Sequence, residues 1–259
     1  MVCCDGAAEI RLDIFLPFRY DKKMETLTRA RKDRAEQPLA RAAAWMIALS
    51  LGACWALFDV VLGGLLQSAR VPHRGAFLCG CALAFLGSVP LLVRRAYGWP
   101  AVVLMAVAVQ ASAVWTLGLN ISCRANSLVA LGCEGAAVAF LWSASGQWAA
   151  GSQKRRAVIG FAAGLAAAFS FHIAGRFASP CADFLAIFRL GSLGEYLLRK
   201  ALPWAVAGAL FFPAGYALAA RLGPIVIFWH LRRPLPFYGF QALAIALSWL
   251  ANVGAIAAV

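Results

Sequence analysis

Residues 42–66 read AAAWMIALSLGACWALFDVVLGGLL, a run of apolar and small side chains broken by one formal charge, Asp59. A helix needs about 20 such residues to cross about 30 Å of hydrocarbon, so this run is long enough to span a bilayer. Six further stretches have the same character, at 75–93, 100–119, 127–148, 157–175, 201–220 and 237–259. None shows the apolar–polar alternation of a membrane β-strand, so each is predicted as a helix that satisfies its own backbone hydrogen bonds. With 63% hydrophobic and 14% charged residues over 259 positions, a soluble domain with a single core is excluded. The predicted fold is all-α, a polytopic transmembrane bundle of about seven spans.

Residues 1–41 are a different material, with nine Lys or Arg and seven Asp or Glu. They read as a cytoplasmic tail in which ETLTRARKDRAEQPLAR (25–41) either forms a basic helix on the membrane surface or stays unfolded. The apolar run begins too far from Met1, with no small-residue cleavage site before it, to be a removable signal, so the first span is expected to be an uncleaved anchor.

The formal charge of +13 raises the possibility of nucleic-acid binding, but the cations are scattered through short linkers. Orientation accounts for them better. With the N-terminus cytoplasmic, the inner segments hold seventeen Lys or Arg and the outer segments seven, the positive-inside asymmetry expected of a multi-pass protein of the inner (cytoplasmic) membrane. Trp45, Trp99, Trp148 and Trp229 then fall at the inner interface and Trp204 at the outer one. The long outer segment 176–200 reads as an interfacial helix interrupted near Gly191 and Gly194, or as an ordered loop capping the bundle. Pro213 should kink the sixth span, Gly160 and Gly164 should permit close helix packing, and 223–236, too short and too proline-bounded to cross, reads as an interfacial or re-entrant piece.

Within the seven runs the only formal charges are Asp59 and Glu134. An acid costs roughly 2.5 to 3.5 kcal/mol at the centre of a spanning helix, so such residues face a protein interior or a wet cavity and mark candidate function. Both sit about 10 Å from the outer ends of their predicted spans, at one depth. His73 in the first outer loop and His172 near the outer end of the fifth span fall on the same side, as do Cys79, Cys81 and Cys133. The expectation is an outward-facing ligand or ion pocket built from Asp59, Glu134, His172 and His73.

No metal is assigned, since Cys79 and Cys81 lie about 200° apart around a helix and are poorly placed to chelate one ion. Cys123 and Cys181 lie in outer segments, where an oxidising compartment would allow a disulfide. No cofactor is expected: His172 as a haem ligand lacks a histidine on any other span. Phosphate-loop, H-E-x-x-H and C-x-x-C patterns are absent, and Ser143 to Gly146 lies at the inner end of its span with no histidine facing it, so no motif supports an enzyme.

A basic residue, Arg41, leads into the first span. Val89-Pro90-Leu91-Leu92-Val93-Arg94-Arg95 closes the second and Trp99-Pro100 follows, with Lys154-Arg155-Arg156 ahead of an Ala-rich fifth. Over 41–221, about 70% of the chain, this layout resembles the N-terminal membrane sensor region of actinobacterial-type histidine kinases. The resemblance implies a sensor module acting through another membrane or cytoplasmic signalling protein. It does not extend to phosphotransfer, because His230 is followed by Leu231 and Arg232 rather than an acid, and another apolar run closes the chain. The expected function is therefore a non-catalytic sensing or regulatory module in the lipid bilayer, with no nucleic-acid partner. The rival is a transporter or permease subunit whose acids bind an ion or proton.

Overall fold

A computed structural model describes residues 41–93, 97–120, 125–178 and 193–257. The tail before Arg41, the Cys123–Cys181 pairing and most of the long segment after the fifth span lie outside the described residues. Seven helices are long and apolar enough to cross a membrane, which makes this a multi-pass integral membrane protein. They are α1 (Arg41–Ser68), α2 (Arg74–Leu92), α3 (Gly98–Thr116), α4 (Ala125–Ala150), α5 (Gln153–Ala178), α6 (Leu202–Arg232) and α7 (Pro234–Ala257). A single α-turn (Leu193–Tyr196) and a π-helical turn (Leu197–Ala201) run straight into α6.

Successive helices alternate in direction, and α2 is the central one. It packs most extensively on α6 and also touches α1, α3, α4 and α5. Its span is 56% buried, against 17% for α7, which rests mainly on α1 and α3 and presents the rest of its surface to lipid. Because lipid is as apolar as a leucine side chain, helices here are held by close van der Waals packing and by hydrogen bonds. The α5–α6 contact shows the first. A Cβ built on Gly160 would stand 2.2 Å from the Gly208 carbonyl oxygen, and one on Gly208 would stand 2.1 Å from that of Gly160. Gly164 meets the Trp204 backbone in the same way, so the Gly160 and Gly164 pair lies against α6. The α1–α7 contact shows the second, where Ser50 donates to Gln241 and Cys54 lies 3.8 Å from the Ser248 hydroxyl.

One half of the bundle is closely packed. Leu83, Leu86, Val89, Val102, Val138 and Phe212 are fully enclosed, and the Trp99 indole donates to the Leu86 carbonyl at 3.2 Å. Trp142 stacks obliquely on Trp99, Phe212 and Tyr216 across three helices. At this end Trp45 stacks on Tyr97 at 4.5 Å, and Arg156 lies 3.9 Å over the Tyr216 ring, an arrangement suited to an interface.

One linker expectation is corrected. Residues 223–236 do not form a separate interfacial piece: α6 continues through Pro213 and Pro224 to Arg232, and the chain breaks only at Arg233, where φ is −140° and ψ is 71°. Each proline removes one N–H, and the neighbouring turns hold the helix on either side. At 31 residues, or about 46 Å, α6 outruns the hydrocarbon and needs no further crossing piece. At the other side, the described residues from Leu193 onward form an α-turn and a π-helical turn that continue into α6.

Candidate functional site

The opposite half of the bundle, where α1 ends and α2 begins, encloses a cavity of about 650 Å³. Asp59 on α1 and Glu134 on α4 both line it. Each is nine residues from its helix end at that side, Ser68 and Ala125 respectively, which places both about 14 Å deep by helical rise. They are within electrostatic reach of each other even though α1 and α4 share little backbone contact.

Asp59 is held in a polar ring. Gln110 Nε2 of α3 donates to Asp59 Oδ2 at 2.9 Å, the Ser127 hydroxyl of α4 makes a short contact with the same oxygen, and Ser127 Oγ lies 2.9 Å from Gln110 Oε1. A serine hydroxyl carries one hydrogen, so it can serve Asp59 or Gln110 but not both. With an ionised carboxylate, three contacts share two hydrogens. A proton on Asp59, or a hydrogen from an incoming donor, completes the ring. Gln110 is buried behind Asp59 and Ser127, which themselves face the cavity.

Glu134 is only 4% exposed, and the Cys79 thiol of α2 lies near it. Among the described residues no Lys or Arg pairs with it. A buried carboxyl without a cationic partner is costly to retain, and it faces a space large enough for a small molecule. Small residues clear that space, with Gly63 and Gly64 on α1, Ala76 on α2 and Ala130 on α4. Phe171, Tyr196 and Trp204 supply an aromatic wall, Phe171 and Trp204 stacking at 5.6 Å.

The mouth has the opposite charge. Arg70, Arg74, Arg199 and Lys200 line it together with His73. Arg199 is tied to Glu195 at 3.2 Å, one turn away. The α1–α2 turn carries two non-glycine residues in the left-handed region, Arg70 at φ 51° and His73 at φ 55°. Arg70 sits where a helix of this ending favours glycine: Val71 N–H bonds the Leu66 carbonyl at 3.0 Å and Arg70 N–H bonds the Gln67 carbonyl at 3.1 Å.

The structure thus brings Asp59, Glu134 and His73 to one cavity. His172 is not in its lining. It is buried on α5 with its ring 4.2 Å from that of Tyr196, which stands between it and the open space, while the Tyr196 hydroxyl donates to the Ala168 carbonyl. Cys79 and Cys133 flank Glu134 as free thiols, and among the described residues no group of three or more His, Cys, Asp or Glu side chains is arranged to hold a metal ion. Gln110, Ser127 and the aromatic wall were not anticipated. Gln110 is the sole amide in the third span, and a search for uncharged polar residues near the depth of the acids would have found it.

Comparison with protein-family models, with curated proteins and with solved structures gives no match. Fold and composition define an integral membrane helix bundle, and its function has to be argued from the cavity.

Proposed function

We propose that the protein is a non-enzymatic ligand-sensing module of the cytoplasmic membrane, and that its cavity opens to the outer face and binds a positively charged group at Asp59 and Glu134. The observation that carries this is the placement of two carboxyls, from two helices, at one depth in a cavity closed beneath by the packed layer of Leu83, Leu86, Val138 and Phe212. A cation 4 Å from one carboxylate gains about 4 kcal/mol at the effective dielectric of a protein surface. Two carboxylates and an aromatic wall can together offset the several kcal/mol needed to strip water from an ammonium ion. Occupancy would draw α1, α3 and α4 together through the Asp59 ring, and a partner signalling protein would read that change.

Transport is the second reading. It is favoured by the π-helical turn Leu197–Ala201 beside the mouth and by Pro213 deep in α6, two places where that helix can deform.

The test is calorimetric titration of the protein in lipid nanodiscs with n-butylamine, alongside the Asp59→Asn and Glu134→Gln variants. Binding to the parent that falls at least tenfold in each folded variant is expected, and equal affinity in all three would overturn the reading. Butylamine-dependent flux in proteoliposomes would replace sensing with transport, whereas binding without flux is the expected result.

A further inference from the structure

The charges of the cavity are sorted by depth. Both acids lie at the floor, while Arg70, Arg74 and Lys200 stand at the mouth. A simple cation would be attracted by the floor but repelled on the way in. The turn that carries Arg70 makes the mouth's charge harder to dismiss. A non-glycine residue in the left-handed region costs about 1 to 2 kcal/mol, and Arg70 occupies such a position at φ 51°. Strain of this kind persists where the surroundings require it and clusters at binding sites.

Resting on the reading of Asp59 and Glu134 as a cation site, we infer that the ligand is an elongated zwitterion, with its ammonium end at the floor and its carboxylate or phosphate end at the Arg70, Arg74 and Lys200 mouth. The length follows from the helix. Asp59 is about 14 Å below the end of α1, and the long mouth side chains reach inward, so the ligand's charged ends stand on the order of 10 Å apart. That exceeds the span of a free amino acid and matches an extended chain of about three residues at 3.3 to 3.6 Å each. A volume of about 650 Å³ is that of a small-molecule pocket and accommodates such a chain.

The probes are trialanine, a zwitterion of this length, trialanine amide, which keeps only the cation, and N-acetyl-trialanine, which keeps only the anion. Titrated into the nanodisc-embedded protein, trialanine should bind at least tenfold more tightly than its amide, and the acetylated form should not bind measurably. The mouth is tested with Arg70→Gly combined with Lys200→Gln. The left-handed backbone accepts glycine at position 70, so this variant keeps the fold. It should erase the advantage of trialanine over the amide and leave the amide's own affinity the same or higher.

If the amide binds as tightly as trialanine, or the double variant weakens both equally, the zwitterion inference fails while the cation site stands. If neither amine binds, the cation site itself fails. A mouth that serves only to hold bilayer phosphates would change the protein's lipid dependence in the double variant without any trialanine preference in the parent, and that result also overturns the inference.

Discussion

Replacing Asp59 by Asn and Ser127 by Ala should move stability in opposite directions, and the hydrogen count of the ring says why. The Asp59–Gln110 and Ser127–Gln110 contacts are both 2.9 Å, and the third side of the triangle, Ser127 to Asp59, is shorter still. An ionised Asp59 contributes no hydrogen, so the single Ser127 hydrogen can serve only one of that residue's two contacts. An asparagine amide brings two hydrogens. With the Gln110 amide turned over, Asn at 59 donates to Gln110 Oε1 and to Ser127 Oγ, and Gln110 Nε2 donates to Ser127, which closes all three sides. The gain is one net hydrogen bond, about 1 kcal/mol. Alanine at 127 instead leaves buried Gln110 Oε1 without that donor, a loss of about 1 to 3 kcal/mol. For a chain of this size each kcal/mol moves Tm by about 2 to 4 °C. Thermal unfolding in detergent, followed by tryptophan fluorescence, should therefore rank Asp59→Asn at or a few degrees above the parent and Ser127→Ala several degrees below it. If Asp59→Asn melts as low as Ser127→Ala, the carboxylate is a structural element and the ring does not await a proton or a donor. Asp59→Asn should lose ligand binding at the same time, which separates folding from function in a single variant.

Gly160→Val should lower Tm by about 2 to 12 °C, because its Cβ would stand 2.2 Å from the Gly208 carbonyl oxygen and overpacking costs about 1 to 3 kcal/mol. Gly239→Val, where nothing lies within 4 Å, is the control and should melt like the parent to within about 2 °C. Asn252 on α7 is wholly buried and bonds Ser248 of its own helix at 2.9 Å, but its Oδ1 has no partner. Asn252→Leu removes that orphaned acceptor and should stabilise the fold by about 1 kcal/mol, read as resistance to unfolding in mixed detergent; a loss of stability would refute the account.

Which parts of this structure could be read from the chain follows from how lipid acts on sequence. The α1 run, 25 mostly apolar positions with one charge at Asp59, announces its helix because a lone segment in hydrocarbon has no other way to satisfy its backbone hydrogen bonds. The same rule hides where α6 ends. A proline-bounded stretch at 223–236 looks like a break to a reader of local propensity, yet in the bundle Pro213 and Pro224 each remove one donor and the flanking turns carry the helix on. The acids were conspicuous because charge is rare in lipid. Their partners were not, since Gln110 and Ser127 are ordinary polar residues whose importance lies in meeting across three helices. Local sequence carries no signal for that meeting. His172 shows the converse. A lone histidine at the right depth points toward a pocket only if its helix is turned that way, and here the Tyr196 ring lies between.

The two ends of the bundle solve different problems with the same materials. At the end without the cavity, tryptophans and arginines stack on rings, glycines bring backbones into contact, and no formal charge enters the packed layer. At the other end the chain tolerates a buried carboxyl without a cationic partner, a polar ring in which three contacts share two hydrogens and an arginine in a glycine's conformation. Each is a cost of about 1 kcal/mol or more that an apolar or glycine substitution would relieve. The orphaned Asn252 acceptor on α7 lies apart from the cavity. These three meet at one cavity, at its floor and at its mouth, and their meeting there is the physical argument that the sequence maintains it for binding.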